Sequence, residues 1–401
     1  MKSIASQQAV REKQGNRKTE QAQLVERLAG SAAEMQPQML CMLAELVRIE
    51  SPSDNKSGVD RAAALVAGWC ESLQGRIKVH RQKEFGDLLE VSFRPPRSGS
   101  RKPVLLLGHL DTVWKMGTLA TMPWSASETR VSGPGVLDMK GGVVMALTAM
   151  WILQEQKALS RPVTLLLHSD EEVGSTVSRP VTEKVARECE AVYVLEPAQG
   201  EQAAYKTARK GVGHYRLDVT GVAAHSGVDF AAGRSAVVEL ARQIERISGF
   251  TDVKRGITVN PGVIGGGTRS NVIAAEAWTE IDVRVARNRD TARIDRAFQR
   301  LRAHDRGCTL QVSGGLNRPP MERTAGTVAL FRRAQKFAGM MGFPLEEAST
   351  GGGSDGNFTS ALGVPTLDGM GAVGAGAHAD HEHLLPQYLA PRTALLAAML
   401  L

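Results

Sequence analysis

The chain has 401 residues, 42% hydrophobic and 23% charged, a length that accommodates two domains and a composition ordinary for a globular protein. Its four cysteines (Cys41, Cys70, Cys189, Cys308) form no CxxC pair and no ladder of short spacings, which excludes a disulfide framework and a thiolate zinc site. The net charge of +7 is no nucleic-acid signal: residues 1–27 hold six Lys/Arg against three Glu, hence +3 of the total, and aromatics are only 4%.

In chain order, residues 1–30 read as a loose basic tail, although helical periodicity begins near Gln21 and runs to Glu50, with Pro37 as its interruption. The tail has no apolar segment of a secretory signal, and no apolar run approaches the roughly 18–20 residues of a spanning helix. A cytoplasmic protein with no membrane and no nucleic-acid partner is expected. A second helix is predicted near 58–73. Then come three continuous apolar runs, VLLL (104–107), VTLLLH (163–168) and AVYVL (191–195), as in strands of a parallel sheet covered on both faces. GGVVMALTAMWILQEQ (141–156), apolar nearly all round, predicts a buried helix between the first two.

The pattern changes after Lys210. YRLDVT (215–220) and TEIDVRV (279–285) alternate strictly, which predicts a sheet with one wetter face. Helices are predicted at about 234–247 and 290–303, giving strand–helix–strand–strand–helix–strand. Further helices follow near 326–341, at 355–362 and after Pro386. The expected fold is α/β: a catalytic domain (31–211 and 318–401) with a mostly parallel sheet flanked by helices, interrupted by a smaller ferredoxin-like α+β sandwich (212–317).

Chemistry gathers where the apolar runs end. His109 and Asp111 follow VLLL, Asp170, Glu171 and Glu172 follow VTLLLH, and Glu196 follows AVYVL. In open α/β sheets ligands bind just beyond the carboxyl ends of strands. Asp138 adds a carboxylate just ahead of a helix, where Asp most often serves as an N-cap. Singly, each residue has an ordinary structural explanation. Crowded together, the carboxylates would repel unless a cation neutralised them, and His plus carboxylate ligands suit Zn²⁺, Mn²⁺ or Co²⁺. The tract AHADHEHL (377–384) offers three more histidines without showing which, if any, is a ligand.

The motifs GHLDTV, GPGVLDMKGG, SDEEVGS, LEP, GVAAHSG, GGGTRSNVIAAEAWTEIDVRVAR and TGGGSDGNF, in this order, resemble the glutamate carboxypeptidase branch of the di-zinc metallopeptidases. That family also holds acetylornithine deacetylase, succinyl-diaminopimelate desuccinylase and aminoacylase. The resemblance implies two Zn²⁺ per subunit, with Co²⁺ or Mn²⁺ as substitutes. One would be held by His109 and Glu196, the other by Glu172 and a late histidine, with Asp138 bridging and its peptide to Met139 cis. Asp111 would accept the free ring N–H of His109, and Glu171 would be the general base. The family presents the late histidine after a small-residue loop, with a glutamate and then an apolar residue beyond. GAGAHADHEHL fits with His378 as ligand, Glu382 and Leu384 following, and a slipped register would use His381.

The resemblance further implies a homodimer through the inserted domain, with His225 reaching the neighbouring active site to stabilise the oxyanion. Asn271 and Arg284 would grip a substrate carboxylate, with Arg318 as a further basic residue and Gly351–Gly353 allowing close backbone approach. Without the resemblance, Arg284 next to Asp282 reads equally as a structural ion pair. The expected activity is release of C-terminal glutamate from peptides or from N-acyl or folate-like conjugates. The alternatives are an N-acyl-amino-acid deacylase or dipeptidase on the same site and, more distantly, a non-catalytic binder on the scaffold.

Overall fold

The structure, a computed structural model, describes residues 19–95 and 99–401. It divides into two units. The first takes in residues to Thr207 with Arg323–Ala348 and Leu362–Leu401; the second comprises Ala208–Glu322 and Ser349–Ala361. The segment 349–361, assigned from the sequence to the catalytic domain, therefore belongs to the second unit.

The first unit opens with helix α1 (19–34), α2 (Gln36–Val47) and α3 (Lys56–Ser72). Residues 19–30 are thus helical, with Val25 and Leu28 fully buried, and are not a loose tail; residues 1–18 lie outside the described residues. The helix is interrupted at Met35, and Pro37 stands in the first turn of α2, where its missing N–H costs nothing. There follow β1 (Arg76–His80), β2 (Leu88–Phe93), β3 (Val104–His109), β4 (Ser125–Ala126), β5 (Val131–Ser132), α4 (Gly141–Glu155), β6 (Val163–His168), α5 (Arg179–Arg187) and β7 (Ala191–Val194). β8 (Tyr205–Arg209) pairs with β13 (Glu347–Thr350). After α8 (Ala325–Met340) come β14 (Thr366–Leu367), β15 (Gly374–Ala375), β16 (His383–Leu384) and α10 (Leu389–Met399).

Six strands form the main sheet in the order β1-β2-β6-β3-β7-β14. β6, β3, β7 and β14 run parallel, while β1 and β2 extend the sheet antiparallel. The β1–β2 hairpin is additional to the three apolar runs, because β1 (RIKVH) is largely exposed and polar. Every residue of β3, β6 and β7 is buried, as continuous apolar runs require. Val136–Glu155, with 20 residues, is long and apolar enough to cross a membrane by length and composition, contrary to the sequence expectation. Nearly all of it is buried, and α4 packs against α2 and α10 as the core helix of the unit.

The second unit holds β9 (Gly211–Thr220), α6 (Ala236–Ser248), β10 (Thr258–Gly266), β11 (Glu276–Val285), α7 (Asn288–Gln299), β12 (Thr309–Arg318) and α9 (Gly356–Ala361). Its antiparallel sheet has the order β10-β11-β9-β12, a ferredoxin-like arrangement. One face carries Tyr215, Leu217, Ile281 and Val283 against Leu240 and Ile247 of α6 and Ile294 and Phe298 of α7. Tyr215 stacks on Phe298 with ring centroids 3.9 Å apart. The alternate residues Arg216, Asp218, Glu280, Asp282 and Arg284 are only half-buried, which accounts for the period-two pattern.

Candidate metal centre

Three buried parallel strands of the first unit end side by side. β3 ends on His109, which is 1% exposed. β6 runs in register beside it, with His168 opposite His109, and continues through Asp170 into a short turn, Glu171–Val173. β7 ends at Val194; the Leu195 N–H donates to the Leu107 carbonyl at 2.9 Å, and buried Glu196 follows.

Asp138 arrives from a different element. GVLDMK coils into one wide turn, Val136–Lys140, ahead of α4, and the Asp138–Met139 peptide is cis, as the resemblance implies. α4 must begin with glycine because a Cβ on Gly142 would collide with the Leu195 carbonyl, next to Glu196. His378 lies in the loop of the β15–β16 hairpin, and β16 pairs in turn with β5, just upstream of the Asp138 turn. Gly376 there has φ +79°, and a Cβ on it would crowd His381, which explains the small-residue run before His378.

These segments bring five residues together. His109 Nε2 lies 3.2 Å from Asp138 Oδ1 and 3.7 Å from Glu196 Oε1. His378 Nε2 lies 3.2 Å from Glu172 Oε2 and 3.4 Å from Asp138 Oδ2. Asp138 therefore turns one oxygen to each imidazole. His109, Asp138 and Glu172 each offer an atom within 4.8 Å of the others, and so do His109, Glu171 and Glu196.

Asp111 is fully buried, but its carboxylate is not the closest acceptor for His109. His109 Nδ1 is 2.9 Å from the Asp111 main-chain carbonyl and 3.5 Å from its carboxylate. The carboxylate instead accepts the Ser53 hydroxyl (2.6 Å) and the amides of Glu171 (3.2 Å) and Glu172 (3.1 Å). It braces the turn that carries both glutamates.

The electrostatics fit a cation. Hydrogen bonds to Asp138 and Glu172 push the His378 imidazole up to about 10. Burial raises the Glu172 carboxyl, the His378 hydrogen bond works against that, and the Asp138 charge adds to the rise. For Asp138, burial is outweighed by hydrogen bonds from His109 and His378, which hold its carboxyl well below the usual range. Glu172 Oε1 is buried with no hydrogen-bond partner among the described residues. An orphaned carboxylate oxygen beside imidazoles and other carboxylates, with no thiolate, suits a divalent metal of the zinc type.

The other expected site residues are in the second unit. His225 is exposed and accepts a hydrogen bond from the Gly227 amide at 3.2 Å. Asn271 is brought beside it, since its carbonyl accepts from the Ser226 amide at 3.0 Å. The Arg284 fork holds Asp282 with contacts of 2.9 and 2.8 Å. Arg318 departs from its expected substrate role: it is buried, paired with Asp355 at 3.0 Å and set over the Phe358 ring. Arg209 Nη1 donates to the Gly352 and Gly353 carbonyls, tying the glycine run down. In the first unit, His381 is exposed beside Asp380, and His383 meets Arg130. No sequence pattern points to Ser53 or Trp114 as partners in the centre's hydrogen bonds, and Glu382 stands out only as a motif position.

Residues 105–401 match the profile of Peptidase family M20/M25/M40. The chain is 28% identical to carboxypeptidase G2 of Pseudomonas sp. (strain RS-16) over 378 residues, 92% of this chain and 90% of the relative. Among solved structures, the aminopeptidase PepT from Bacillus cereus superposes with a TM-score of 0.75 at 19% identity, covering 91% of this chain and 98% of that one. An M20 family metallo-carboxypeptidase from Sulfolobus solfataricus gives 0.70 at 16% identity, covering 90% and 98%. At these identities both structures speak for the fold alone.

The geometry around His378 makes a direct prediction. His378→Ala is expected to retain one metal fewer than the parent, whereas His381→Ala and His383→Ala retain the full complement, as read by elemental analysis of dialysed protein. Loss of metal from His381→Ala with none lost from His378→Ala would contradict it.

Proposed function

Because the chain belongs to Peptidase family M20/M25/M40 and is a metallopeptidase, we propose that it is a di-zinc hydrolase that cleaves an amide bond next to a free carboxylate. Within that class it acts as a glutamate-type carboxypeptidase on peptides or on N-acyl or folate-like conjugates. The observation that carries the two-metal reading is Asp138, which presents one carboxylate oxygen to His109 and the other to His378. Co²⁺ or Mn²⁺ would serve in place of zinc with this donor set.

His109 and Glu196 would hold one metal and Glu172 and His378 the other, with Asp138 shared between them. When bound, the metals supply Lewis acidity, polarising the scissile carbonyl and acidifying a water. Glu171 takes the proton of the attacking water and passes it to the departing amine. Its backbone is fixed by Asp111, so its carboxylate starts from a braced turn. His225 of the partner subunit donates to the oxyanion. Asn271 and Arg284 hold the substrate carboxylate, the arginine as a fork. The Arg284–Asp282 pair is partly exposed, and such pairs are worth only about 0–1 kcal/mol, so a substrate carboxylate can compete for the guanidinium.

A second reading, N-acyl-amino-acid deacylase or dipeptidase, is favoured by Arg318. With its guanidinium buried on Asp355, it is not presented to a glutamate side chain. A panel of N-acyl-glutamates, folate-like conjugates, dipeptides and acetyl-amino acids decides between the readings. The first predicts the highest kcat/KM on the glutamate conjugates; preference for dipeptides or acetyl-amino acids would reject it. On the best substrate, Glu171→Ala is expected to lose roughly 10²–10⁴-fold in turnover while keeping its metal. Parental activity in a fully metallated variant would remove Glu171 as the base.

Assembly as a homodimer through residues of about 212–317 belongs to the same proposal, as does a cytoplasmic location, in keeping with four free cysteines. Support for the dimer comes from the edge strand β10, with Val263 and Ile264 exposed, and from α6, with Val237 and Val238 exposed. Sedimentation should report a dimer, and His225→Ala should lose turnover. A fully active monomer, or an active His225→Ala variant, would contradict this.

A further inference from the structure

One heavily hydrogen-bonded buried carboxylate near the centre is not among its expected ligands. Glu382 is fully buried. Its Oε1 accepts the amides of Leu137 (2.8 Å) and Asp138 (3.0 Å), and its Oε2 accepts the Gly135 amide (2.9 Å) and the Trp114 indole N–H (2.7 Å). Three of these four donors belong to the turn that presents Asp138. The backbone of Glu382 belongs to the loop that presents His378: its own N–H donates to the Ala379 carbonyl at 2.8 Å, and β16 begins at the next residue. One side chain thus joins segments 244 residues apart in sequence. His109 and Glu196 are set differently, by the ends of β3 and β7.

We propose that Glu382 is a positioning residue that locks the Asp138 turn to the His378 loop, and so determines the affinity of the metal position formed by Glu172, His378 and Asp138. The inference rests on the two-metal reading above. Without the carboxylate, three amides of the Asp138 turn lose their acceptor and the His378 loop loses its anchor. The His109 and Glu196 side remains held by the sheet. The consequence is asymmetric: the position that includes His378 loses both its loop anchor and the fixed Asp138, and weakens more than the other, which loses only the fixed Asp138.

The test is a metal titration of the full chain with Zn²⁺ against a competing chelator, repeated with Co²⁺ to follow the ligand-field absorption. Melting of the metal-free protein serves as the measure of folding. The parent must first take up two metals; uptake of fewer would reject the two-metal reading itself and leave the role of Glu382 to be read from the remaining site. Glu382→Gln keeps the size but turns an NH₂ toward amide donors. It is expected to weaken the metal at the His378 position by about 10–100-fold and the other metal by clearly less, with a changed Co²⁺ spectrum. Parental binding of both, or equal weakening of both, would overturn the proposal in favour of a role in folding alone. If Glu382→Gln does not fold, Trp114→Phe decides. Removing one of the four donors should weaken the metal at the His378 position by roughly 2- to 10-fold, the size of one hydrogen bond, and unchanged binding would overturn the proposal.

Discussion

Carboxylates repel one another, yet the first unit gathers Asp138, Glu171, Glu172 and Glu196 about the imidazoles of His109 and His378. Taking one such charge out of water without a partner costs several kcal/mol. The apolar framework behind the site supplies the opposing free energy, at about 1.5–3 kcal/mol for each fully buried Val or Leu. Ten of the sixteen residues of β3, β6 and β7 are buried Val or Leu. Their job is to hold charged groups at fixed positions against repulsion.

The same demand explains polar groups deep in the unit. Arg392, fully buried, donates to the carbonyls of Gly369, Gly371 and Ala203. Gly371 in turn donates its amide to the Glu196 carbonyl, so the arginine braces the backbone behind Glu196. Asp111 does the same for Glu171 and Glu172. In each case a buried charge is satisfied mainly by main-chain groups near the centre.

Much of this was legible in the sequence, and the exceptions have physical reasons. Continuous apolar runs announced β3, β6 and β7, and strict alternation announced β9 and β11, because burial on two faces or on one dictates those patterns. His109, Asp138, Glu172 and Glu196 were visible because each closely follows a run or opens a helix. The resemblance, not the spacing, singled out His378. The exposed strand β1 carries no apolar pattern, so periodicity passed over it. Residues 19–30 follow directly on a basic, polar stretch that masks where the helix begins, although Val25 and Leu28 are buried. The partners of Asp111, Arg318 and Glu382 are set by contacts distant in the chain, between Ser53 and Asp111, Arg318 and Asp355, and Glu382 and Asp138, which no local pattern encodes.

The proposed place of Asp138 between two metal positions is tested by anomalous diffraction at the zinc edge from crystals grown with Zn²⁺. Two anomalous peaks are expected to flank the Asp138 carboxylate, one against His109 and Glu196 and one against Glu172 and His378. A single peak, or peaks away from Asp138, would contradict it.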